Sequence, residues 1–184
     1  MTGVSPRLRR TRRGRYGSTM GERPALFLGL LADQPELIAE VGVLRWRAAG
    51  QGGTPAPWIE CTARDAGRDR LPLTLVAMDL EGRAIGAVTL GLADGTDHDG
   101  AVAAGCPPGA PWVARLVVRP GERLCGVGRL LVAAAEDLAR QHGHDQVWVA
   151  AESVDVEFYR HCGWQDDSGA HADVIVLSKA LASA

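Results

Sequence analysis

Hydrophobic side chains follow strand-like and helix-like periods from residue 25 to the end of the chain. Short apolar runs bounded by glycine, proline or aspartate predict strands. The predicted strands are Ala25–Leu31, Leu73–Met78, Ala84–Leu92, Trp112–Val118, Gln146–Ala150 and Val174–Leu177. The second and third of these are separated by a short polar turn, which predicts a hairpin.

Apolar positions at helical spacing predict four helices between these strands. They begin near Pro35, Trp58, Gly126 and Val154 and end near Ala48, Gly67, His142 and His161. A segment rich in glycine, aspartate and proline, Asp94–Pro108, predicts a long loop. The order of elements is that of a mixed α/β protein. Neither a repeat nor a linker divides residues 20–184, so we predict a single domain there.

Composition narrows the class of protein and divides the chain by charge. The 184 residues are 46% apolar and 23% charged, which is typical of a globular protein, and no run reaches the ~18 apolar residues of a membrane-spanning helix. Residues 1–19 carry six arginines and no acid, which leaves 14 basic and 22 acidic side chains, net −8, in the remainder. We expect residues 1–19 to be a disordered tail, either an extension upstream of a start at Met20 or a basic arm for nucleic acid or anionic lipid.

The cysteines are widely scattered along the chain. Cys61, Cys106, Cys125 and Cys162 form no C-x-x-C pair and no cluster with zinc spacing. This spacing predicts free thiols in a reducing compartment, a cytoplasmic location and no metal site.

The segment with the clearest chemical signal connects the Trp112–Val118 strand to the helix that follows it. Gly126 and Gly128 lack side chains there, so backbone N–H groups can approach an anion closely. The helix N-terminus adds unpaired donors and partial positive charge, which together predict a cradle for phosphate or pyrophosphate. The alternative is a tight turn that binds nothing. The form of the segment, R-x-x-G-x-G from Arg123, is neither a P-loop nor a dinucleotide fingerprint.

This segment resembles the coenzyme-A-binding motif of the GCN5-related N-acetyltransferase (GNAT) superfamily, written Q/R-x-x-G-x-G/A. The lead-in V-x-P-x-x-R is also similar, with Val118, Pro120 and Arg123 in its places. A second segment, FYRHCGW from Phe158, resembles the family's F-Y-x-x-x-G-F/W, and its Tyr159 lies 31 residues after Gly128. The resemblance covers about residues 25–180.

The resemblance implies a three-layer αβα domain with a mixed, mainly antiparallel sheet that is splayed near the cofactor-binding strand. It implies acetyl-CoA as cofactor, with strand backbone on the pantetheine arm and helix amides on the pyrophosphate. The residues that it assigns to the cofactor are Leu116, Val117, Val118, Arg123, Leu124, Cys125, Gly126, Val127, Gly128, Arg129 and Glu152. It also assigns Tyr159 the protonation of the leaving thiolate, and the alternative is a ring that only packs. Reference pKa values of about 10 for tyrosine and about 8.5 for a thiol make that proton transfer only modestly costly.

The chain departs from the family pattern at two positions. Glu152 stands where many members have an asparagine, and Trp112 stands where some carry a general-base glutamate. The base must therefore come from elsewhere or from a chain of water molecules, and we expect Glu60 to supply it. The alternatives are polar residues of the long loop, which a solvated loop would also contain: Asp94, Asp97, His98 and Asp99.

Three further residue types are candidates for the site. Arg115 either binds a carboxylate or phosphate of the acceptor or extends to solvent. Trp58 and Trp112 either line a pocket or pack in the core. The Cys125 thiol, within the cradle, is a minor candidate for redox sensitivity.

The predicted activity is transfer of an acetyl group to a primary amine of a small molecule. The acidic body is suited to a cationic acceptor and offers no footprint for nucleic acid or membrane, and the resemblance makes a homodimer an expectation. The alternatives are a non-catalytic acyl-CoA-binding sensor or scaffold, another acyl donor such as succinyl-CoA, an alcohol or peptide acceptor, and nucleic-acid binding through the arginine tail.

Overall fold

Seven strands form one sheet in the computed structural model, which describes residues 26–50, 52–92, 107–123, 125–171 and 174–182. The strands are β1 (Phe27–Leu30), β2 (Leu73–Met78), β3 (Ala84–Leu92), β4 (Pro111–Val118), β5 (Gln146–Glu152), β6 (Gln165–His171) and β7 (Val174–Ala180). The helices are α1 (Ile38–Ala49), α2 (Ala56–Arg64), α3 (Val127–Gln141) and α4 (Val156–His161). The strand order is β1-β2-β3-β4-β5-β7-β6, and every neighbouring pair is antiparallel except β4 and β5.

Helices cover both faces of the sheet. Successive side chains of β2 and β3 point to opposite faces, and both sets are mostly apolar and buried. Leu75 and Val88 pack with α3 in the larger core cluster. Val76 and Ala87 pack with α1 on the other face. The domain therefore has the predicted three layers, with α1 and α2 on one side and α3 on the other.

Close packing of α1 against α2 places α2 beside β4. A side chain at Gly42 would bring its Cβ within 2.7 Å of the Ile59 Cα, so only glycine allows this approach. As a result, the face of α2 that includes Thr62 is buried against the domain.

A buried ion pair joins the helix α3 to the strand β7. Glu136 is 5% exposed and accepts hydrogen bonds from the Lys179 Nζ at 2.8 and 2.9 Å and from the Trp164 Nε1 at 3.0 Å. Lys179 also donates to the Cys162 carbonyl at 2.8 Å. The buried Glu136 carboxylate thus accepts three hydrogen bonds inside the protein, as a buried charge requires.

The sheet is splayed at its centre. Only Trp112↔Trp148 and Val113↔Val149 pair β4 with β5, whereas β5 continues along β7 as far as Glu152. The ends of β4 and β5 therefore separate beyond Val113 and leave an open V, close to where the resemblance implies one.

The structure corrects several predicted boundaries and adds a strand. β1 is shorter than Ala25–Leu31, α2 ends at Arg64 rather than near Gly67, and β7 extends to Ala180. β6 had no counterpart in the prediction, because its residues are mostly polar and small; it forms as an edge strand by pairing with β7. No helix among the described residues is long and apolar enough to span a membrane. The arginine-rich residues 1–19 and most of the predicted loop lie outside the described residues.

Candidate functional site

The open edge of β4 is the first component of the site. Past Val113 the strand has no pairing with β5. On its other edge, Arg115 and Leu116 together lie opposite Val88, which makes a β-bulge between β3 and β4. Arg115 has φ of 53°, a left-handed conformation that costs a non-glycine residue roughly 1–2 kcal/mol. The bulge redirects the backbone at the point where the sheet opens, and an extended ligand can pair with the exposed edge.

The start of α3 forms the second component, next to the end of β4. Gly126 has φ of 86° and immediately precedes the helix, and its carbonyl accepts the first helical bond from the Leu130 N–H at 3.0 Å. The first-turn N–H groups of the helix have no partner within it. Cys125 and Gly126, which precede this turn, are exposed, so the start of the helix faces solvent there, although the Val127 side chain is buried. Leu124, also predicted to hold the cofactor, lies outside the described residues.

Gly128 plays a different part from Gly126. A Cβ built at Gly128 would meet the Phe158 ring at 3.4 Å and a Val118 methyl at 3.6 Å, which are ordinary contact distances. A Cβ would therefore fit at Gly128 between α3, α4 and β4, whereas Gly126 is needed for its left-handed backbone.

A cavity of about 780 Å³ lies between α1 and the end of β4. Its charged lining residues are Glu40, Arg47, Arg119 and Arg123, and the remainder of the lining is apolar. Arg119 donates to the Glu40 carboxylate at 2.6 Å and to the Ala84 carbonyl at 2.5 Å. The Arg123 Nε lies 3.4 Å from the Val118 carbonyl. Three guanidinium groups thus surround a cavity with one carboxylate, which favours an anionic ligand.

Tyr159 is buried on α4, beside the V. Its ring centroid lies 5.1 Å from that of Phe158 and 5.6 Å from that of Trp164, both in edge-to-face contact. Burial raises the pKa of the Tyr159 phenol well above its usual value, and the nearby Asp155 and Cys162 raise it further. No hydrogen bond engages its hydroxyl among the described residues. The ring packs in the core, and the role of the hydroxyl as proton donor stays a prediction.

Arg115 is tied to α2 rather than extended to solvent. Its guanidinium pairs with the Asp65 carboxylate at 2.9 Å and donates to the Cys61 thiol. The two side chains of the ion pair are 11% and 15% exposed. The side chain therefore fixes the strained bulge residue to the helix on the same side.

A second arginine extends this polar group into the core. Arg45 is 3% exposed and donates to the Thr62 hydroxyl at 3.1 Å and to the Thr89 hydroxyl at 2.8 Å. Its Nη1 lies 3.9 Å from the Asp65 carboxylate. Neither Arg45 nor Asp65 was a candidate from the sequence, although Thr62 and Asp65 follow Trp58 at helical spacing, which marks the inward face of α2.

The predicted acid–base residues are dispersed. Glu60 is exposed on α2, whereas Thr62 of the same helix is buried. Glu152 is exposed at the end of β5. The loop candidates Asp94, Asp97, His98 and Asp99 lie outside the described residues.

The aromatic and cysteine candidates are also located. Trp112 is 3% exposed and packs with Ala114 and Val176, so it is a core residue, whereas Trp58 is half-buried. Cys61, Cys125 and Cys162 are free thiols, as predicted, and Cys106 is outside the described residues. Burial raises the pKa of the Cys162 thiol, although Arg129 opposes this shift. Among the described residues no group of histidine, cysteine and acidic side chains is arranged to hold a metal ion.

The sequence is similar to one known family. A family profile described as "Acetyltransferase (GNAT) family" matches residues 40–164, a range that includes the cradle, the bulge and Tyr159. No curated protein is similar enough in sequence to count as a relative.

Solved structures share this fold at low identity. PaiA N-acetyltransferase from Thermoplasma acidophilum, in complex with coenzyme A, is 19% identical with a TM-score of 0.61, over 85% of this chain and 99% of that one. An aminoglycoside 6′-N-acetyltransferase complexed with coenzyme A is 13% identical with a TM-score of 0.64, over 86% and 98%. An acetyltransferase of the GNAT family from Streptococcus pneumoniae is 18% identical with a TM-score of 0.60, over 86% and 100%.

These likenesses confirm the predicted αβα fold with a mainly antiparallel, splayed sheet. The predicted cofactor is confirmed at the level of the family, which uses acetyl-CoA.

Proposed function

The chain belongs to the GNAT family of acetyltransferases, and from this premise we propose that it is an acetyl-CoA-dependent N-acetyltransferase that acetylates a primary amine of a small molecule. The single observation that carries the proposal is the open edge of β4 ending at a glycine-started helix. An amide-containing arm and a pyrophosphate are the two chemical groups that such an arrangement accommodates together.

The residues present fit the cofactor. The main chain of Leu116–Val118 would pair with the pantetheine arm, and the amides around Gly126 would hold the pyrophosphate. Gly126 fits this task because its left-handed backbone turns into α3 with no side chain in front of the first-turn N–H groups. Arg123, which lines the adjoining cavity, would add positive charge beside them.

When bound, acetyl-CoA supplies an activated acyl group as a thioester. The protein contributes mainly positioning, because the donor would be held at two points, along β4 beside the bulge and at the cradle before α3. The Tyr159 hydroxyl holds its proton throughout the neutral range, since its pKa is raised. The same shift makes donation of that proton costlier than the reference pKa values suggest, so a thiolate must approach the hydroxyl closely for the role to operate.

The acceptor would enter from the α1–α2 side. We propose Glu60 as the group that takes the proton of an ammonium acceptor, either directly or through water, because it is exposed on α2. Asp65 is less suited to this task, since its carboxylate is engaged with Arg115. The net charge of −8 outside residues 1–19 supports a positively charged amine as acceptor.

We also propose a cytoplasmic location, supported by the three free thiols, and a homodimer, which follows from the family resemblance alone. One structural neighbour is an aminoglycoside acetyltransferase, and aminoglycosides therefore join polyamines, amino acids and short peptides as acceptors to be tested.

The experiment measures thiol release from acetyl-CoA with these amines, using the wild type, Tyr159→Phe and Glu60→Gln. We expect release with at least one amine and a fall in kcat of roughly a hundredfold for Tyr159→Phe, the scale of general acid catalysis. Trp164→Phe controls for disturbed packing, because it alters a ring that contacts Tyr159 and removes the bond to Glu136 but removes no phenol; an equal fall in kcat would assign the loss to packing.

Two outcomes would contradict the proposal. Binding of acetyl-CoA without release to any amine would favour the non-catalytic sensor, and faster release from succinyl-CoA would favour a different donor. An unchanged kcat in Tyr159→Phe would remove that residue from the mechanism, and an unchanged kcat in Glu60→Gln would move the base to another group.

A further inference from the structure

The cavity between α1 and β4 is lined by a positively charged side chain that has no role in the proposed reaction. Glu40 is its single lining carboxylate and is occupied by Arg119 at 2.6 Å. Arg47, by contrast, is exposed, lines the same cavity and forms no ion pair with any described residue. An unpaired guanidinium in a mostly apolar lining is a recognition group for carboxylate or phosphate.

The position of Arg47 along α1 separates it from the cradle. The Glu40–Arg119 contact fixes the start of α1 at the end of β4 next to the cradle. Arg47 is seven residues further along, about 10 Å at the rise of an α-helix. Arg45 donates to Thr89, which pairs with Ala114 of β4. The cavity therefore extends along α1 from the cradle end, where Val118, Arg119 and Arg123 line it, as far as Arg47.

We propose that Arg47 binds an anionic group of the acceptor, so that the preferred acceptor is a small amine that also carries a carboxylate or phosphate. This inference rests on the proposed function and names its substrate class. The acidic body of the domain attracts the ammonium group, and Arg47 orients the molecule by its anion. An amino acid has both groups, whereas a polyamine has only the first.

The test compares acceptors that share an amine and differ in the anion: lysine with cadaverine, and phenylalanine with phenethylamine. For the wild type we expect kcat/KM at least tenfold higher with the carboxylated member, since only that member can form a charge-assisted hydrogen bond with Arg47. Arg47→Gln removes that preference, Arg47→Lys restores part of it, and the KM for acetyl-CoA stays unchanged in both. Arg123→Gln, whose side chain lines the cavity at the cradle end, should instead raise the KM for acetyl-CoA.

Calorimetry with the same acceptor pairs and the same variants gives a readout that does not require turnover. Equal kcat/KM, or equal binding, within each pair for the wild type would overturn the inference while leaving amine acetylation intact. A rise in the KM for acetyl-CoA, but not for acetyl-dephospho-CoA, in Arg47→Gln would also overturn it and assign Arg47 to the cofactor's ribose phosphate. A loss of activity confined to succinyl-CoA would assign Arg47 to the acyl group. Absence of acetylation with every amine would contradict the proposed function, and the binding comparison would still decide the role of Arg47.

Discussion

The two edges of β4 are held in opposite ways. Along the β3 edge the strand is paired from Pro111 to Val118, with a single bulge, and the bulge residue is anchored to α2. Along the β5 edge it is paired at Trp112 and Val113 alone. The fixed edge determines where the open edge lies, and a ligand on the open edge meets a backbone that cannot easily shift.

The two ends of the open edge also keep their backbone conformation by different means. The bulge uses an arginine in a conformation that favours glycine, stabilised by a buried ion pair. The cradle uses a glycine for its left-handed turn, and among the described residues no side chain caps the start of α3. Substitutions at the bulge should therefore affect stability, and substitutions at the cradle should affect ligand binding.

The largest effect is expected at the cradle. Gly126→Val places a side chain on a left-handed residue and displaces the first-turn amides, so acetyl-CoA should bind about a hundredfold more weakly, equivalent to ~3 kcal/mol. Isothermal calorimetry with acetyl-CoA measures this. Gly82→Val is the matched control, because Gly82 has φ of 78° and equally open surroundings but lies in the β2–β3 turn. Equal loss of binding in the two variants would show that strain alone, and not the cradle, is responsible.

At the anchored edge we expect a loss of stability instead. Asp65→Ala leaves the buried Arg45 and Arg115 without this carboxylate and should lower the free energy of unfolding by about 3 kcal/mol, the scale for breaking a buried pair. Urea denaturation checks this value. Asp33→Ala, which removes the exposed partner of Arg68, should cost less than about 1 kcal/mol. A similar small loss for both variants would mean that the bulge is not held by α2.

Burial of Tyr159 should make the free energy of unfolding depend on pH. Its pKa is higher in the folded than in the unfolded protein. Above pH of about 10 the unfolded state releases the phenolic proton first, so the free energy of unfolding falls by up to ~1.4 kcal/mol per pH unit. Urea denaturation at pH 8 and 11 should show a larger fall for the wild type than for Tyr159→Phe. Parallel pH profiles for the two proteins would contradict the raised pKa.

The smallest expected effect is a difference in stability between two variants of Arg115. It distinguishes the cost of backbone strain at the bulge from the loss of the ion pair. Arg115→Ala and Arg115→Gly both lose the contact with Asp65, but only glycine adopts φ of 53° without strain. The glycine variant should therefore be more stable than the alanine variant by about 1 kcal/mol. Comparing the midpoints of urea unfolding tests this, and a more stable alanine variant would show that the bulge rearranges once the tether is lost.

Local pattern was sufficient for much of the fold and for the glycine turn that starts α3. β2 and β3 have the predicted limits, because buried apolar runs between turns have few alternative structures. Gly126 was identified because it lacks a side chain and stands between a predicted strand and a predicted helix, and the structure adds its left-handed backbone. β6 was not predicted, since its polar residues gain strand structure only from pairing with β7.

The acceptor side was harder to predict for a similar reason. Arg45 and Asp65 are remote in the sequence from Arg115 and meet it only through the packing of α1, α2 and β4. Glu60 was the residue of α2 that the sequence suggested, and Asp65 was not considered, because the sequence alone did not establish which face of that helix turns inward. Helical spacing from Thr62 to Asp65 was the available signal.

The Glu136–Lys179 ion pair has a practical consequence for work on an amine-modifying enzyme. Lys179 is the single lysine of the chain, and its ammonium group is bound to both Glu136 oxygens and the Cys162 carbonyl. In the folded state the single lysine is therefore engaged in an ion pair, which should slow its reaction with acylating reagents, acetyl-CoA included. The rate at which Lys179 becomes acetylated, measured by mass spectrometry, would report how often the contact between α3 and β7 opens.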